Sequence, residues 1–241
     1  MKPFFAFVAG VACASAVAVF ATSSDPTRAF VHHYIESDPQ RPFRASFLGI
    51  QAWQTPTDLW LMQELIVDYA PDLIIETGTA RGGTALFYAA VLAQTNPDGR
   101  VITIDREPRQ SAAARAHPLF QERVEGWEGD VLDPTILERL RGRAQGKRVI
   151  VALDSLHNDK HVRAELEAYA PLVPVGGYLV VQDTVIDQDS SWVAEYAAGA
   201  TAGPALAVET FLATHREFED TALEERYLLS FHPGGYLQRL R

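Results

Sequence analysis

Cysteine is almost absent from this chain of 241 residues, which contains only Cys13. A single thiol excludes an intramolecular disulfide and a cysteine-based zinc site. Dense runs of lysine and arginine are missing as well, and the formal net charge is −10. Because a nucleic-acid-binding domain usually carries a basic patch, we expect no nucleic-acid partner.

Internal repeats and low-complexity linkers are also missing, and the length suits one α/β domain with short additions. We therefore predict three parts. Residues 1–21 form an apolar N-terminal segment, residues 22–57 form a lid or collar rich in proline and aromatic residues, and residues 58–241 form the main domain. We expect substrate contacts from residues 22–57 and from residues 185–202.

The apolar run at residues 4–21 follows Lys2 and has three interpretations. The first interpretation is a signal peptide with a cleavage site after Val19-Phe20-Ala21. The second is a membrane anchor, for which the run is at the short end of the lengths that span a bilayer. The third interpretation is a helix packed in a dimer or against the domain. Membrane contact through this run and a homo-oligomer therefore both stay open.

Short apolar runs alternate with helical patterns along the rest of the chain. Strands are predicted at residues 73–75, 101–104, 123–126, 149–153 and 178–181. Helices between them are predicted at residues 84–93, 111–116, 134–143 and 160–170. This alternation predicts a parallel sheet with helices on both faces. Residues 227–231 and 235–240 are predicted to form a terminal antiparallel hairpin about Pro233-Gly234.

The first strand leads into a glycine-rich run at residues 76–83, Glu-Thr-Gly-Thr-Ala-Arg-Gly-Gly. The spacing is neither that of a dinucleotide fingerprint nor that of a phosphate-binding loop. The pattern E-x-G-x-x-x-G instead suits a cofactor that has a carboxylate and an amine near the loop. We predict cofactor contacts from Glu76, Gly78, Thr79 and Gly82. A purely structural glycine turn is the alternative.

Two further acids follow predicted strands or turns on the same rim. Asp105 ends the second strand, where a carboxylate can accept hydrogen bonds from both hydroxyls of a ribose. Asp130, which follows Gly129, could accept from an adenine amino group. Ligands of an open α/β sheet bind beyond the carboxyl ends of its strands, which favours both assignments. Not every acid at this rim is a ligand, so a helix cap or a surface acid is the alternative for both.

Asp154 and Asp183 end two strands that should be neighbours. Paired carboxylates form a hard-cation site, to which Gln182 could add a carbonyl oxygen, and oxygen ligands favour Mg²⁺. Such an ion would hold a substrate hydroxyl and lower its pKa. His157 lies close enough to Asp154 in sequence to act as a general base or an extra ligand. Unrelated strand-end acids and a polar loop histidine are the alternatives.

These residues resemble the cephalosporin hydroxylase-like group of class I S-adenosylmethionine-dependent methyltransferases, which is related to macrolide and rhamnosyl O-methyltransferases. The resemblance runs from about Phe43 to Arg241. Its marks are P-T-D-L-W at 56–60, P-D-L-I-I-E-T-G-T at 71–79, L-D-S-L-H at 153–157, Q-D-T at 182–184 and P-G-G-Y-L at 233–237.

The resemblance implies a Rossmann-like, seven-stranded, mostly parallel sheet with an antiparallel C-terminal hairpin. It implies S-adenosylmethionine at Gly78 and Asp105, and Mg²⁺ held by Asp154 and Asp183. Relatives often have an acid just before the second aspartate, where this chain has Gln182.

The leading hypothesis is metal-assisted O-methyl transfer to a hydroxyl of a sugar or secondary metabolite, with Asp154 and His157 as catalytic residues. Because the implied cofactor is an intracellular metabolite, we expect a cytoplasmic or cytoplasm-facing, membrane-anchored domain, with export by a signal peptide as the alternative. The competing functions are an iron-dependent hydroxylase, whose site would require a second histidine, and a non-catalytic protein that retains the cofactor fold.

Overall fold

The computed structural model describes residues 25–107 and 109–241. The apolar run at residues 4–21, with its three interpretations, lies outside the described residues. Among the described helices, none is long and apolar enough to cross a membrane. The chain divides into two units, Met1–Pro42 and Phe43–Arg241. Residues 43–57 therefore belong to the same unit as the sheet, and their assignment to a lid stays a prediction.

The described part of the chain contains nine α-helices, joined by short 3-10 turns. They are α1 (Pro26–Glu36), α2 (Pro56–Tyr69), α3 (Gly83–Thr95), α4 (Ala112–Ala116), α5 (Pro118–Arg123), α6 (Pro134–Ala144), α7 (Asp159–Tyr169), α8 (Ser190–Tyr196) and α9 (Pro204–Thr214). The strands are β1 (Ser46–Phe47), β2 (Ile50–Gln51), β3 (Leu73–Thr77), β4 (Arg100–Asp105), β5 (Val124–Glu128), β6 (Val149–Leu153), β7 (Tyr178–Val181), β8 (Phe218–Asp220) and β9 (Tyr236–Arg239).

The boundaries of α2 illustrate how local sequence sets these elements. The Thr55 hydroxyl accepts a hydrogen bond from the Asp58 backbone N–H at 3.1 Å and so caps the helix, and Pro56 occupies the first turn, where its missing N–H costs nothing. The helix ends at Ala70, which adopts a left-handed conformation directly before Pro71. Its buried face then packs on the sheet.

Seven strands form one sheet in the order β5-β4-β3-β6-β7-β9-β8. The pairings from β5 through β7 are parallel, and β9 pairs antiparallel with both β7 and β8. The predicted α/β class and the mostly parallel seven-stranded sheet are therefore confirmed. The chain leaves β3 towards β4 and later returns to its other side at β6, so the crevice expected for a ligand lies between the carboxyl ends of β3 and β6.

Alternate side chains of each strand enter two apolar layers. On one face, Ile75 and Val151 pack with residues of α6, α7 and α9. On the other face, Ile74 and Ile150 pack with residues of α2, α3 and α5. Every residue of β3 and β6 is buried, and burial on both faces explains why β6 is a continuous apolar run and why β3 begins with three apolar residues in a row.

The C-terminal hairpin is antiparallel as predicted, but one of its strands was placed wrongly. The partner of β9 is β8, and residues 227–231 lie in the connection between them, after a 3-10 turn at Leu223–Arg226. The Asp58 carboxylate explains the difference, because it accepts hydrogen bonds from the Ser230 hydroxyl and the Phe231 N–H. These bonds hold residues 230–231 against α2 instead of in the sheet. The short helix α5 was not predicted.

Candidate active site

A cavity of about 640 Å³ opens at the carboxyl ends of the parallel strands, within the range typical of small-molecule sites. Its walls come from six places along the chain. The glycine loop and the end of β4 contribute Gly78, Thr79, Ala80 and Asp105; the turn after β5 contributes Asp130; the ends of β6 and β7 contribute Asp154, Ser155, His157 and Asp183; and the segment before α2 contributes Phe43, Gln51 and Trp53.

Gly78 brings the loop backbone against the end of β6. Its φ is +83°, and a Cβ built there would lie 2.0 Å from the carbonyl oxygen of Asp154. Only glycine tolerates both the left-handed conformation and this approach. The Gly78 N–H donates to the Ile104 carbonyl at 2.8 Å, which fixes the loop to β4. Gly82 caps α3 with φ +87° but does not line the cavity.

Glu76 lies beneath the loop rather than in the cavity. Its carboxylate is buried and accepts a hydrogen bond from the Thr103 hydroxyl at 2.6 Å. The Thr103 oxygen in turn lies 2.7 Å from the Thr79 hydroxyl. Burial, helped by the nearby Asp105 charge, raises the pKa of Glu76 to about 8. The residue thus supports the loop from below, and its predicted contact with a cofactor stays a prediction.

Asp105 and Asp130 both line the cavity, and each accepts a local backbone hydrogen bond. One Asp105 oxygen accepts from the Thr79 N–H at 3.0 Å, and the other accepts from the Glu107 N–H at 3.1 Å. Asp130 accepts from the Leu132 N–H at 2.9 Å. Carboxylate oxygens have further lone pairs, so both acids can still accept from a ligand. Their predicted contacts with ribose and adenine remain predictions.

Asp154, His157 and Asp183 form a compact cluster on the adjacent wall, at the ends of β6 and β7. One ligand atom from each residue lies within 4.8 Å of the others. His157 Nε2 is 3.5 Å from Asp183 Oδ2 and 3.9 Å from Asp154 Oδ1. Burial, together with the charges of Asp183 and Glu76, raises the pKa of Asp154 well above its ordinary value. A cation bound at this position would relieve the repulsion between the carboxylates.

His157 and His161 do not share a helical face, because α7 begins only at Asp159. The His161 Nε2 instead lies 2.9 Å from the Ser155 hydroxyl, which donates to Glu165 at 2.9 Å. Burial lowers the pKa of His161. The Glu165 side chain is buried as well, and burial raises its pKa to about 7. Ser155, His161 and Glu165 together hold the turn after β6 against α7.

A buried polar network behind the cluster holds the Asp154 carboxylate and the Asp183 backbone, and sequence analysis missed it. The Asp183 N–H donates to His232 Nδ1 at 2.9 Å, so that nitrogen carries no proton and Nε2 carries one. Nε2 therefore donates to the Gln54 carbonyl oxygen at 3.0 Å. The Gln54 amide then donates to Asp154 Oδ2 at 3.1 Å and to Gln182 Oε1. Asp183 holds a left-handed backbone conformation, with φ +58°, within this network.

Gln182 is drawn away from the cavity by the same network. Its side chain is buried, its carbonyl oxygen accepts from Gln54, and its amide donates to the Tyr88 hydroxyl at 3.2 Å. The predicted ligation of a metal by Gln182 would require the bond from Gln54 to break, and it stays a prediction. Gln54 and His232 carry no motif of their own. Their 178-residue separation explains why pattern analysis did not pair them.

The aromatic wall of the cavity lies in the segment where substrate contacts were expected. Phe43 and Trp53 meet edge to face, with ring centroids 5.4 Å apart. Acceptor contacts were also expected from residues 185–202. Of the described residues in that range, none lines the cavity.

Comparison with known proteins agrees with this architecture. Residues 41–240 match the family model described as Rhamnosyl O-methyltransferase/CmcI. The Rhamnosyl O-methyltransferase of Mycobacterium bovis (strain BCG / Pasteur 1173P2) is 31% identical over 207 residues, which cover 81% of this chain and 78% of the relative. Its counterpart in Mycobacterium leprae (strain TN) is 31% identical over 204 residues, which cover 80% and 82%.

Solved structures share the fold at lower identity. A CmcI structure with Mg-SAM has a TM-score of 0.62 at 20% identity and covers 83% of this chain and 78% of its own. The O-methyltransferase TomG from Streptomyces achromogenes, in complex with SAM, has a TM-score of 0.51 at 21% identity and covers 84% and 85%. The class I methyltransferase fold and the predicted resemblance to the CmcI-like group are confirmed. The chain therefore belongs to the rhamnosyl O-methyltransferase/CmcI family and is an O-methyltransferase.

Proposed function

We propose that this O-methyltransferase takes its methyl group from S-adenosylmethionine and transfers it, with the help of a bound divalent cation such as Mg²⁺, to a hydroxyl of a sugar or secondary metabolite. One observation carries the proposal. A single cavity holds the Gly78 loop and Asp105 on one wall and the cluster of Asp154, His157 and Asp183 on the other.

The wall around Gly78 suits the cofactor. Free backbone N–H groups at the start of α3 and the close-packed loop favour a ligand with a carboxylate, and Asp105 offers acceptors for ribose hydroxyls. S-adenosylmethionine supplies an electrophilic methyl group when bound. The Gly78 loop and Asp105 would orient that cofactor and exclude water from it.

The adjacent wall, at the ends of β6 and β7, suits activation of the acceptor. A bound divalent cation would hold the acceptor hydroxyl and lower its pKa. Two carboxylates and an imidazole within 4.8 Å form a donor set that fits such an ion. His157 is either the third ligand of that ion or a general base that takes up the hydroxyl proton, because the one Nε2 lone pair that faces the aspartates cannot do both.

The aromatic wall and the relatives support the acceptor class. Phe43 and Trp53 present ring surface of the kind that packs on a sugar or another cyclic metabolite. Mycobacterial relatives are named rhamnosyl O-methyltransferases. The iron-hydroxylase alternative is not supported, because the cluster found among the described residues contains one histidine and two carboxylates rather than two histidines and one carboxylate.

Calorimetric titration tests the division between the walls. Wild type is expected to bind S-adenosylmethionine, and Asp105→Ala should abolish this binding because it removes the ribose acceptor and a hydrogen bond that holds the loop. Asp183→Ala should leave cofactor affinity nearly unchanged, and added Mg²⁺ should no longer stimulate methyl transfer. Transfer of labelled methyl groups to glycosides with free hydroxyls, compared with fully protected glycosides, then tests the acceptor. Absence of binding at millimolar cofactor would overturn the proposal.

A further inference from the structure

A second cavity, of about 740 Å³, lies at the amino ends of the parallel strands, at the opposite edge of the sheet from the candidate active site. Arg148 directly precedes β6, Val173 and Val175 precede β7, and Arg239 ends β9, which runs antiparallel beside β7. Among the described residues, none lines both cavities. A ligand bound at this edge would therefore occupy a site separate from the catalytic one.

This cavity is basic although the chain as a whole is acidic. The chain has 21 lysine and arginine residues against 31 acidic ones. Of the fifteen described residues that line the cavity, only Glu138 is acidic and four are cationic: Arg141, Lys147, Arg148 and Arg239. We call it the basic cavity. A concave site that concentrates charge of one sign attracts ligands of the opposite sign.

The fold itself accounts for two of these cations. Arg141 lies in the last turn of α6, where a cation complements the helix dipole, and it pairs with Glu138 at 3.0 Å. Arg148 pairs with Asp72 at 3.3 Å. These two residues therefore need no ligand to explain their positions.

Lys147 and Arg239 are half-buried, and no carboxylate side chain of the described residues pairs with either of them. The Lys147 ammonium has no hydrogen bond within the described chain. The Arg239 guanidinium donates from Nη1 to the Val173 carbonyl at 2.8 Å and from Nε to the Arg241 main-chain oxygen at 3.3 Å, which leaves Nη2 without a partner among the described residues. Partly desolvated cations with free donors favour the binding of an anion.

The wall beside these cations is apolar and held in place. Val173 is buried, whereas Val175 is 63% exposed at the rim. The Gly176 N–H donates to the Arg239 carbonyl at 2.7 Å, and the Arg239 N–H donates to the Gly177 carbonyl at 3.0 Å. These bonds tie the turn before β7 to the strand that carries Arg239. The cationic and apolar parts of the cavity are therefore positioned before a ligand binds, which lowers the entropic cost of binding.

We propose that the basic cavity binds a phosphate ester that carries an apolar substituent. The phosphate group would pair with Lys147 and Arg239, because a phosphate monoester carries about −1.5 to −2 charges at neutral pH and several acceptor oxygens. The substituent would pack on Val173 and Val175, since this contact removes the exposed valine from water. The proposal does not depend on the metal-assisted transfer proposed above, because the two cavities share no described residue.

Calorimetric titration of the full-length protein with hexyl phosphate tests the proposal. Hexyl phosphate should bind at least about tenfold more tightly than inorganic phosphate, since burial of a few methylene groups supplies about that factor. Lys147→Gln and Arg239→Gln should each weaken this binding by about tenfold, because each removes a charge-assisted hydrogen bond. Saturating S-adenosylmethionine should leave the affinity for hexyl phosphate unchanged.

Lys160→Gln is the matched control. Lys160 is exposed on α7 and lines neither cavity. Its substitution removes the same charge from the chain and should not change the affinity for hexyl phosphate. Circular dichroism establishes that each variant is folded. Lys147 lies in the turn between α6 and β6, so its variant tests the cavity even if the substitution of Arg239 disturbs the sheet.

Dihexanoyl phosphatidic acid, which has two acyl chains and is soluble, distinguishes two sources of the same chemistry. Tighter binding of this compound than of hexyl phosphate supports a lipid headgroup as the ligand, and weaker or equal binding supports a free phosphate ester. Absence of binding of both compounds at millimolar concentration would overturn the inference. So would an equal loss of affinity in Lys160→Gln, or displacement of hexyl phosphate by S-adenosylmethionine. All of these outcomes leave the proposed methyl transfer untouched.

Discussion

The two walls of the cavity are built in different ways. The cofactor wall uses residues close together in sequence: Thr103 and Glu76 are 27 positions apart, and Asp105 and Thr79 are 26 apart. The cation wall uses Gln54, which is 100 positions from Asp154 and 178 from His232. A local motif therefore specifies the first wall, whereas the second depends on the whole sheet being assembled.

The substitution with the largest expected effect is Gly78→Ala, which tests the cofactor wall. The new Cβ would collide with the Asp154 carbonyl oxygen, and the left-handed backbone adds about 1–2 kcal/mol of strain. We expect loss of detectable S-adenosylmethionine binding and a lower free energy of unfolding, measured by calorimetry and urea denaturation.

Gly142→Ala is the matched control for that substitution. Gly142 lies within α6, and a Cβ there meets no atom within 4 Å. The control should be neutral or stabilising by about 0.5–1 kcal/mol, because alanine is the better helix former. A Gly78→Ala protein that bound the cofactor like wild type would contradict the close approach between the loop and β6.

The cation wall is tested by Gln54→Leu, which removes the donors to Asp154 and Gln182 and the acceptor for His232. We expect Mg²⁺ affinity to fall about 10–100-fold, as is typical when an outer partner of a metal ligand is lost. S-adenosylmethionine affinity should stay within about threefold of wild type, because the hydrogen bonds of the Gln54 side chain go to Asp154, Gln182 and His232. Both affinities are measurable by calorimetry on the same sample.

Gln51→Leu provides the control for the network. Gln51 lies three residues from Gln54, but its amide donates to the Phe43 carbonyl and not to the aspartates. Its substitution should not change Mg²⁺ affinity. Equal losses from the two variants would show that general disturbance of this segment, rather than the network, weakens the cation site.

The smallest effect concerns Glu165, which lies beneath the turn after β6. Its pKa is raised to about 7 in the folded chain, from an ordinary value near 4.5. The unfolded chain therefore releases this proton first, so stability falls as the pH rises from about 4.5 through about 7 and then levels off once both states have lost the proton. Between pH 6 and pH 8 the loss should be on the order of 1 kcal/mol.

Glu165→Gln should remove that contribution, because glutamine does not titrate. Urea denaturation at pH 6 and pH 8 measures it, as the difference between the two pH values should be smaller in the variant than in wild type. An unchanged difference would mean that other groups, such as Glu76, carry the pH dependence.

Sequence alone located the strands of the parallel sheet and the acids that follow them. Asp105, Asp154 and Asp183 all line the cavity where the pattern placed them. These predictions succeeded because buried parallel strands are apolar runs, and because their carboxyl ends meet at one edge. The strand predicted at residues 227–231 was wrong, since Asp58 captures Ser230 and Phe231 from a distant part of the chain.

What the sequence determined by itself is the α/β order and the glycine turn, because hydrophobic period and backbone freedom are local properties. What only the tertiary structure decided is which polar side chains meet. It turned Gln182 and Glu76 away from the cavity and brought His157 to the paired aspartates, and it placed Gln54 and His232 behind them. Buried polar groups must find partners wherever the fold places them, and those partners are set by the packing of distant segments rather than by spacing along the chain.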